Sequence, residues 1–178
     1  MWELPTTISL NNKKFNIRTD YRAILDILIA LDDPNYEGDE KVLILIQILY
    51  EDWEDIEDYE DAYIKGMEFI NMGTLDKSNT GNIKLMDWEQ DSDLIIAPIN
   101  QIVGTEIRSL EYMHWYTFLS AYMNIGESIF SEVVAIRDKM KKGKQLDKDE
   151  KEFYKRNAEM IKLKPKLSNK EKEFFKNW

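Results

Sequence analysis

Alternating polar and apolar positions at the start of the chain predict a β-hairpin. Residues 6–10 (TTISL) and 15–18 (FNIR) alternate weakly, as expected of strands with one buried face. Asn11 and the three polar residues after it are typical of a turn. Because an isolated hairpin is only marginally stable, we expect this one to pack on other parts of the chain.

Apolar residues at three- and four-residue spacing predict helices along the rest of the chain. The first helix is expected to follow a cap at Thr19 or Asp20 and to end before Pro34. Ser168 and Glu171 have the spacing of a capping box that starts a short terminal helix. Between them, helices are predicted from about residue 39 and over about residues 56–72, 91–104, 109–125, 127–142 and 147–163, with a loop over residues 74–86.

Six or seven helical segments against two weak strand runs place the chain in the mainly α class. We expect a multi-helix domain with a short N-terminal β-hairpin and a basic helical C-terminal arm. The core domain is predicted to span residues 1–143, and the arm residues 144–178, either as a separate element or as part of the same domain. Pro98 is expected to kink its helix or to split it, because proline removes one backbone hydrogen bond.

Apolar stripes indicate which side of each helix is buried. Residues 42–46 are apolar on every face, which is typical of a central helix. Two further stripes, in the third helix and in the helix after residue 127, are predicted to consist of Tyr59, Tyr63, Met67 and Ile70, and of Ile129, Val133, Ile136 and Met140.

The chain has 178 residues and a mass of 21.2 kDa, which is enough for one ordinary domain with its own core. It contains no cysteine, and this excludes disulfides, thiolate zinc sites and a cysteine nucleophile. It has no run of about 18 apolar residues and does not open like a signal peptide. We therefore expect a soluble intracellular protein that does not bind membranes.

The net charge of −10 is distributed unevenly along the chain. Residues 32–61 carry thirteen acids and one lysine, whereas residues 137–178 carry fifteen bases and eight acids. This asymmetry indicates either two solvated faces or an electrostatic contact between the segments, within one molecule or between copies. Nucleic acid is not an expected partner, because an acidic chain repels phosphate.

An acidic run over residues 87–93 is the pattern nearest to a metal site. A calcium loop needs a glycine at its sixth position and a glutamate at its twelfth. Counted from Asp87, these positions hold Ser92 and Pro98, so the pattern fails. We interpret the run as an acidic turn in which Asp91 caps the next helix, and we expect neither a metal nor a cofactor.

Enzymatic chemistry has little support in this sequence. His114 is the only histidine, which excludes sites that need two or three of them. The chain has no nucleophile elbow, phosphate loop or dinucleotide motif. Carboxylate pairs are uninformative in a chain with 34 acids. We predict that the protein is not an enzyme and that His114 is structural, with a small acidic enzyme as a competing class.

Residues 112–122 form the densest aromatic stretch and predict a core helix with one partly open side. We expect Trp115 and Phe118 inside, and Tyr112 and Tyr116 together on a neighbouring, partly accessible face. Aromatic side chains are enriched at the centres of interfaces. The candidate partner-binding residues are Tyr112, Trp115, Tyr116, Phe118, Phe153, Tyr154 and Trp178.

Three segments between Leu85 and Asn157 resemble one protein family. They read LMDWEQDSDLIIAPINQIVGTEIR, YMHWYTFLSAYMNIGE and IRDKMKKGKQLDKDEKEFYKRN. The order and the residues of these segments resemble the bacteriophage gene-product-fifteen family of tailed phages and prophages of Gram-positive bacteria. None of the three motifs is catalytic.

The resemblance implies a tail assembly chaperone of a siphovirus. Such a protein would bind the tape measure protein and promote assembly of the tail tube around it. Its partners would be the tape measure, other tail proteins and further copies of itself. It would act in the host bacterial cytoplasm and be absent from the mature virion. The alternative is a structural tail or adaptor subunit that stays in the virion.

Overall fold

The computed structural model describes residues 3–73 and 84–176, apart from the side chain of Phe175. Within these ranges lie nine α-helices and one two-stranded antiparallel hairpin, which confirms the mainly α prediction. No helix in them combines the length and the hydropathy of a membrane span. The elements are β1 (Thr7–Leu10), β2 (Lys13–Asn16), α1 (Tyr21–Leu31), α2 (Gly38–Leu49), α3 (Tyr59–Ile70), α4 (Ser92–Val103), α5 (Trp115–Met123), α6 (Ile129–Lys141), α7 (Lys148–Arg156), α8 (Ala158–Ile161) and α9 (Asn169–Lys176).

The chain forms two compact units. The hairpin unit contains the described residues up to 73 together with residues 111–119 and 166–176. The central unit contains residues 84–110 and 120–165. The C-terminal third of the chain therefore contributes to both units. A core domain that ends at residue 143 stays a prediction, and most of the predicted loop over residues 74–86 lies outside the described ranges.

The hairpin turn is shorter than the sequence suggested. β1 and β2 are joined by Asn11 and Asn12 alone, whose φ angles are 46° and 64°. Asparagine tolerates this left-handed region better than most residues do, so a two-residue turn closes here. Lys13 and Lys14, expected in the turn, belong to β2. The inward face buries Ile8, Leu10 and Phe15.

In the hairpin unit, α1 begins as predicted, because the Asp20 carboxylate accepts the backbone N–H of Arg22 at 3.0 Å. α2 and α3 pack closely at Gly66, where a Cβ atom would lie 2.7 Å from Leu45 Cδ2. The buried residues of α3 are Ala62, Gly66, Phe69 and Ile70.

The stripe predicted for α3 is therefore mostly wrong. Of its four residues only Ile70 is buried, and Tyr59, Tyr63 and Met67 are half-buried. Two small residues one turn apart, at positions 62 and 66, let α3 approach α2, and the bulky side chains flank this contact. The helical period of the apolar residues is therefore correct, but the centre of the buried face consists of the small residues Ala62 and Gly66.

In the central unit, α4 runs from Ser92 to Val103 without a break at Pro98. A proline in this position removes the bond to the Leu94 carbonyl and costs roughly 3 kcal/mol. Ile95 and Ile99 on either side are fully buried, and their packing offsets this cost. α4 ends at Gly104, whose φ is 80°.

Two other predicted helices change their bounds. The helix expected over residues 109–125 begins only at Trp115, and the one expected over residues 147–163 is divided at Asn157 into α7 and α8. On α6, Val133 and Ile136 are buried as predicted, but Ile129 and Met140 at the ends of the stripe are 56% and 44% exposed.

Residues 166–176 pack on the acidic segment of the hairpin unit. Lys166 Nζ lies 3.2 Å from a carboxylate oxygen of Asp32, and the N–H of Asn169 donates to the Asn35 side-chain oxygen at 2.7 Å. The N–H of Asn35, with Lys166 as a further contributor, lowers the pKa of Asp33. For this part of the arm, the predicted contact between basic and acidic segments within one molecule is confirmed. The Ser168–Glu171 capping box is also present.

Candidate partner-binding site

The aromatic core of the hairpin unit is built around Trp115 and Phe118. Each is 1% exposed, which confirms that both are buried. The Trp115 indole N–H donates to the Ile70 carbonyl at 2.9 Å. The Phe118 ring stacks on Tyr21 with 4.8 Å between ring centroids and lies 5.6 Å from Trp115. These two side chains therefore offer a partner no surface in this conformation, and a role in binding stays a prediction.

His114 caps α5 from inside the fold. Its Nδ1 accepts the backbone N–H of Tyr116 at 3.0 Å, and its Nε2 lies 2.9 Å from the Pro5 carbonyl oxygen. Since a carbonyl only accepts, Nε2 carries the proton and the ring is the neutral tautomer. Both ring nitrogens are used in hydrogen bonds between chain segments. This geometry supports the structural role predicted for His114.

Tyr112 and Tyr116 do not share a helix face, because Tyr112 precedes α5. Tyr112 is 55% exposed, and its hydroxyl hydrogen-bonds with Thr19 Oγ1 at 2.7 Å. Tyr116 is half-buried, stacks on Phe69 at 5.1 Å, and has a pKa raised by burial. It also lines a shallow groove of about 360 Å³ with Ile8, Phe69 and Met72 among its walls. Of the four aromatic candidates here, only these two tyrosines are accessible.

The central unit contains a buried ion pair that sequence reasoning missed. The Arg137 guanidinium is bidentate to Asp91, at 2.6 and 2.9 Å, and the two residues are 4% and 1% exposed. The same guanidinium donates to the carbonyls of Leu85, Met160 and Ile161 at 2.7–3.0 Å. One side chain thus ties α6 to three other chain segments. The sequence contains one sign of this pair: Arg137 lies four residues after Val133 and so falls on the buried side of α6, where an arginine needs a partner.

The acidic run is a turn, as predicted, but Asp91 has a different role. Asp87 accepts the backbone N–H groups of Glu89 and Gln90 at 3.0 and 2.9 Å. Asp91 occupies the N-cap position of α4 yet makes no side-chain cap bond, because its carboxylate is taken by Arg137 and by the N–H of Asp87. Across residues 3–73 and 84–176, no group of three or more histidine, aspartate or glutamate side chains is placed to hold a metal ion.

The candidates in the arm have different surroundings. Phe153 and Tyr154 on α7 are half-buried and pack on the apolar cluster of Val133, Ile136 and Ile161. Their position indicates support of the central core rather than a free binding face, although binding through them stays a prediction. Trp178 lies outside the described residues.

A groove at the end of α6 is lined by both apolar and basic side chains. Its volume is about 310 Å³, and we call it the α6–α8 groove. Its lining consists of Arg137, Met140, Lys141, Ile161, Lys162 and Leu163. Ile161 is buried, Leu163 is half-buried, and the two lysines are exposed. A groove that combines apolar side chains with two lysines suits an apolar side chain with carboxylates beside it.

Comparison with known proteins gives one match. A family model described as bacteriophage Gp15 protein matches residues 1–163, well beyond the segments that carried the resemblance. No curated protein and no solved structure matches the chain.

Proposed function

The chain belongs to the bacteriophage Gp15 protein family, and from this membership we propose that it is a non-enzymatic assembly factor for the phage tail. The family match over residues 1–163 is the observation that carries the proposal. The matched range includes nearly all residues of both units. The family assignment therefore applies to the fold as a whole and not to one short segment.

In its finer form, the proposal is that the protein binds the tape measure protein and keeps it dispersed while the tail tube assembles around it. A long helical cargo exposes apolar surface until it is covered, and an escort with a net charge of −10 opposes aggregation. Helix-to-helix contact through methionine and aliphatic side chains is the expected binding mode.

Exposed apolar side chains at the ends of α5 and α6 support this binding mode. Met123 is 72% exposed, and Ile129, six residues further on, is 56% exposed. Both side chains flank the turn between the two helices, and neither is buried by the described residues of the chain. A flexible methionine beside an isoleucine can adapt to helical cargo of varied sequence.

The test is co-expression of the tagged chain with the tape measure protein of the same phage genome. We expect the tape measure to co-purify with the chain and to stay in the supernatant only in its presence. A Met123→Ser/Ile129→Ser variant should lose most of this co-purification. Leu43→Ser/Ile102→Ser, which changes two exposed aliphatic side chains elsewhere, is the matched control and should retain it.

Failure of the parent chain to retain the tape measure would contradict the chaperone proposal. Mass spectrometry of purified phage particles then addresses the alternative. A chaperone should be absent from the particles, whereas a structural tail or adaptor subunit should be present in a fixed ratio to other tail proteins.

A further inference from the structure

The α6–α8 groove carries two lysines that no described residue neutralises. Lys141 and Lys162 have no ion pair within residues 3–73 and 84–176. Their neighbours on α6 are paired, Lys139 with Glu150 and Lys142 with Asp138. Arg137 at the base of the groove is neutralised by Asp91. The unpaired positive charge of the groove therefore lies on two exposed lysines that line it together with apolar side chains.

α3 carries the complementary pattern on a side where Glu60 and Ile64 are exposed and Glu68 is half-buried. Glu60, Ile64 and Glu68 follow one another at four-residue spacing and so lie along one side of the helix. Ile64 is 45% exposed. Neither glutamate has an ion pair in the described part of the chain, although Asp61 and Lys65 on the same helix pair with each other at 2.8 Å.

We propose that α3 of a second copy docks in the α6–α8 groove. Ile64 enters the apolar part beside Met140 and Leu163, and Glu60 and Glu68 meet Lys141 and Lys162. Charge complementarity selects this occupant: α3 carries an isoleucine between two glutamates, the groove combines apolar side chains with two lysines, and both surfaces belong to this chain. The proposal does not depend on the tape measure and goes beyond the function proposed above.

The contact joins two different surfaces, so each copy keeps one free groove and one free α3. Such a heterologous contact repeats, and it forms a ring or an open chain rather than a closed dimer. One aliphatic side chain with two pairs of charges makes a small interface, which is typical of weak association. Because the charges are exposed, salt should weaken it strongly.

The experiment is sedimentation equilibrium of the full chain at about 0.1–0.5 mM protein, in about 0.05 M and about 0.5 M salt. At low salt we expect the mass to rise with concentration beyond that of a dimer, and at high salt to fall toward 21.2 kDa. Lys141→Glu/Lys162→Glu should give the single-chain mass at low salt. Lys148→Glu/Lys155→Glu, with the same charge change on exposed lysines of α7, should associate like the parent.

The apolar part of the proposed contact is tested by a second pair of variants, one on α3 and one control. Ile64 and Ile102 are both 45% exposed, so Ile64→Ser should abolish association and Ile102→Ser should leave it unchanged. Charge reversal on α3, Glu60→Lys/Glu68→Lys, should also give single chains. Each variant alone brings like charges together. Mixed in equal amounts with Lys141→Glu/Lys162→Glu, the α3 variant restores opposite charges in both mixed contacts: the unaltered α3 with the unaltered groove, and the reversed α3 with the reversed groove.

That mixture gives the sharpest result: because opposite charges meet in both kinds of mixed pairing, it should yield assemblies larger than a dimer, although neither variant associates alone. Failure to form them would overturn the proposal. So would a single-chain parent at low salt, a salt-independent dimer, or equal loss of association in the Lys148→Glu/Lys155→Glu control. Circular dichroism of each variant, with helix content like the parent's, assigns any loss to the surface rather than to unfolding.

Discussion

The two units differ in what lies at their centre. The hairpin unit is built around large apolar and aromatic side chains, which include Leu45, Ile46, Leu49, Trp115 and Phe118, all at most 1% exposed. The central unit has a smaller cluster of Val133, Ile136 and Ile161 beside the buried Asp91–Arg137 pair. The first is stabilised mainly by apolar burial. The second depends on a charged side chain whose hydrogen bonds are all satisfied.

The two units should therefore tolerate different substitutions. An apolar core loses stability in proportion to the volume removed. A buried ion pair adds little when complete, but losing one member leaves an uncompensated charge. Hydrogen exchange, read separately for the two sets of residues, can locate each effect.

The largest effect is expected from Trp115→Ala. The change removes a fully buried indole and leaves the Ile70 carbonyl without its donor, so the free energy of unfolding should fall by about 5 kcal/mol. Urea denaturation measures the loss, and hydrogen exchange should place it in the hairpin unit. Tyr112→Ala, at a 55% exposed site, is the control and should cost far less. Similar midpoints for both variants would contradict the apolar-core view.

Arg137→Met should be next, with a loss of roughly 3–4 kcal/mol concentrated in the central unit. It leaves the Asp91 carboxylate and three backbone carbonyls without their common donor. Lys141→Met, one turn further along the exposed side of α6, should change stability by less than about 0.5 kcal/mol. If the two variants unfold alike, the ion pair does not organise this unit.

A smaller loss, about 1–2 kcal/mol, is expected from Gly66→Ala. The added methyl group would lie 2.7 Å from Leu45 Cδ2 and 3.0 Å from Leu49 Cδ2, and this overpacking outweighs the better helix propensity of alanine. Thermal unfolding gives the comparison with Gly38→Ala, where a Cβ meets nothing within 4 Å. A Gly66→Ala protein more stable than the parent would show that the α2–α3 contact has room to adjust.

The smallest effect is expected from Lys166→Ala. Its partner Asp32 has a side chain that is 42% exposed, and pairs of this kind contribute about 1 kcal/mol or less. The difference from the parent should shrink further at high salt, because screening weakens exposed pairs. A loss as large as that of Arg137→Met would mean that the C-terminal segment is an integral part of the hairpin unit's core.

Local features were predictable where neighbouring residues cause them. The Asp20 cap, the Ser168–Glu171 capping box and the two strands follow from side chains within a few positions of the backbone groups they satisfy. The burial of Trp115 and Phe118 was also predictable, because these two large apolar side chains are three residues apart and so lie on the same side of a helix. The accessible grooves were not, since each is lined by residues distant in sequence.

Short-range periodicity and the order of motifs are enough to predict the helical class, most helix positions, the hairpin and the family. Contacts between distant residues decide which face of α3 is buried, where α5 starts and which partner Asp91 takes. The start of α5 depends on His114, whose Nδ1 accepts the N–H of Tyr116. The other ring nitrogen of His114 is held by the carbonyl of Pro5, more than a hundred residues earlier. The Asp91 carboxylate binds Arg137 instead of capping α4. The buried guanidinium offers it two charge-assisted hydrogen bonds, which are stronger than the bonds to backbone N–H groups at a helix N-terminus.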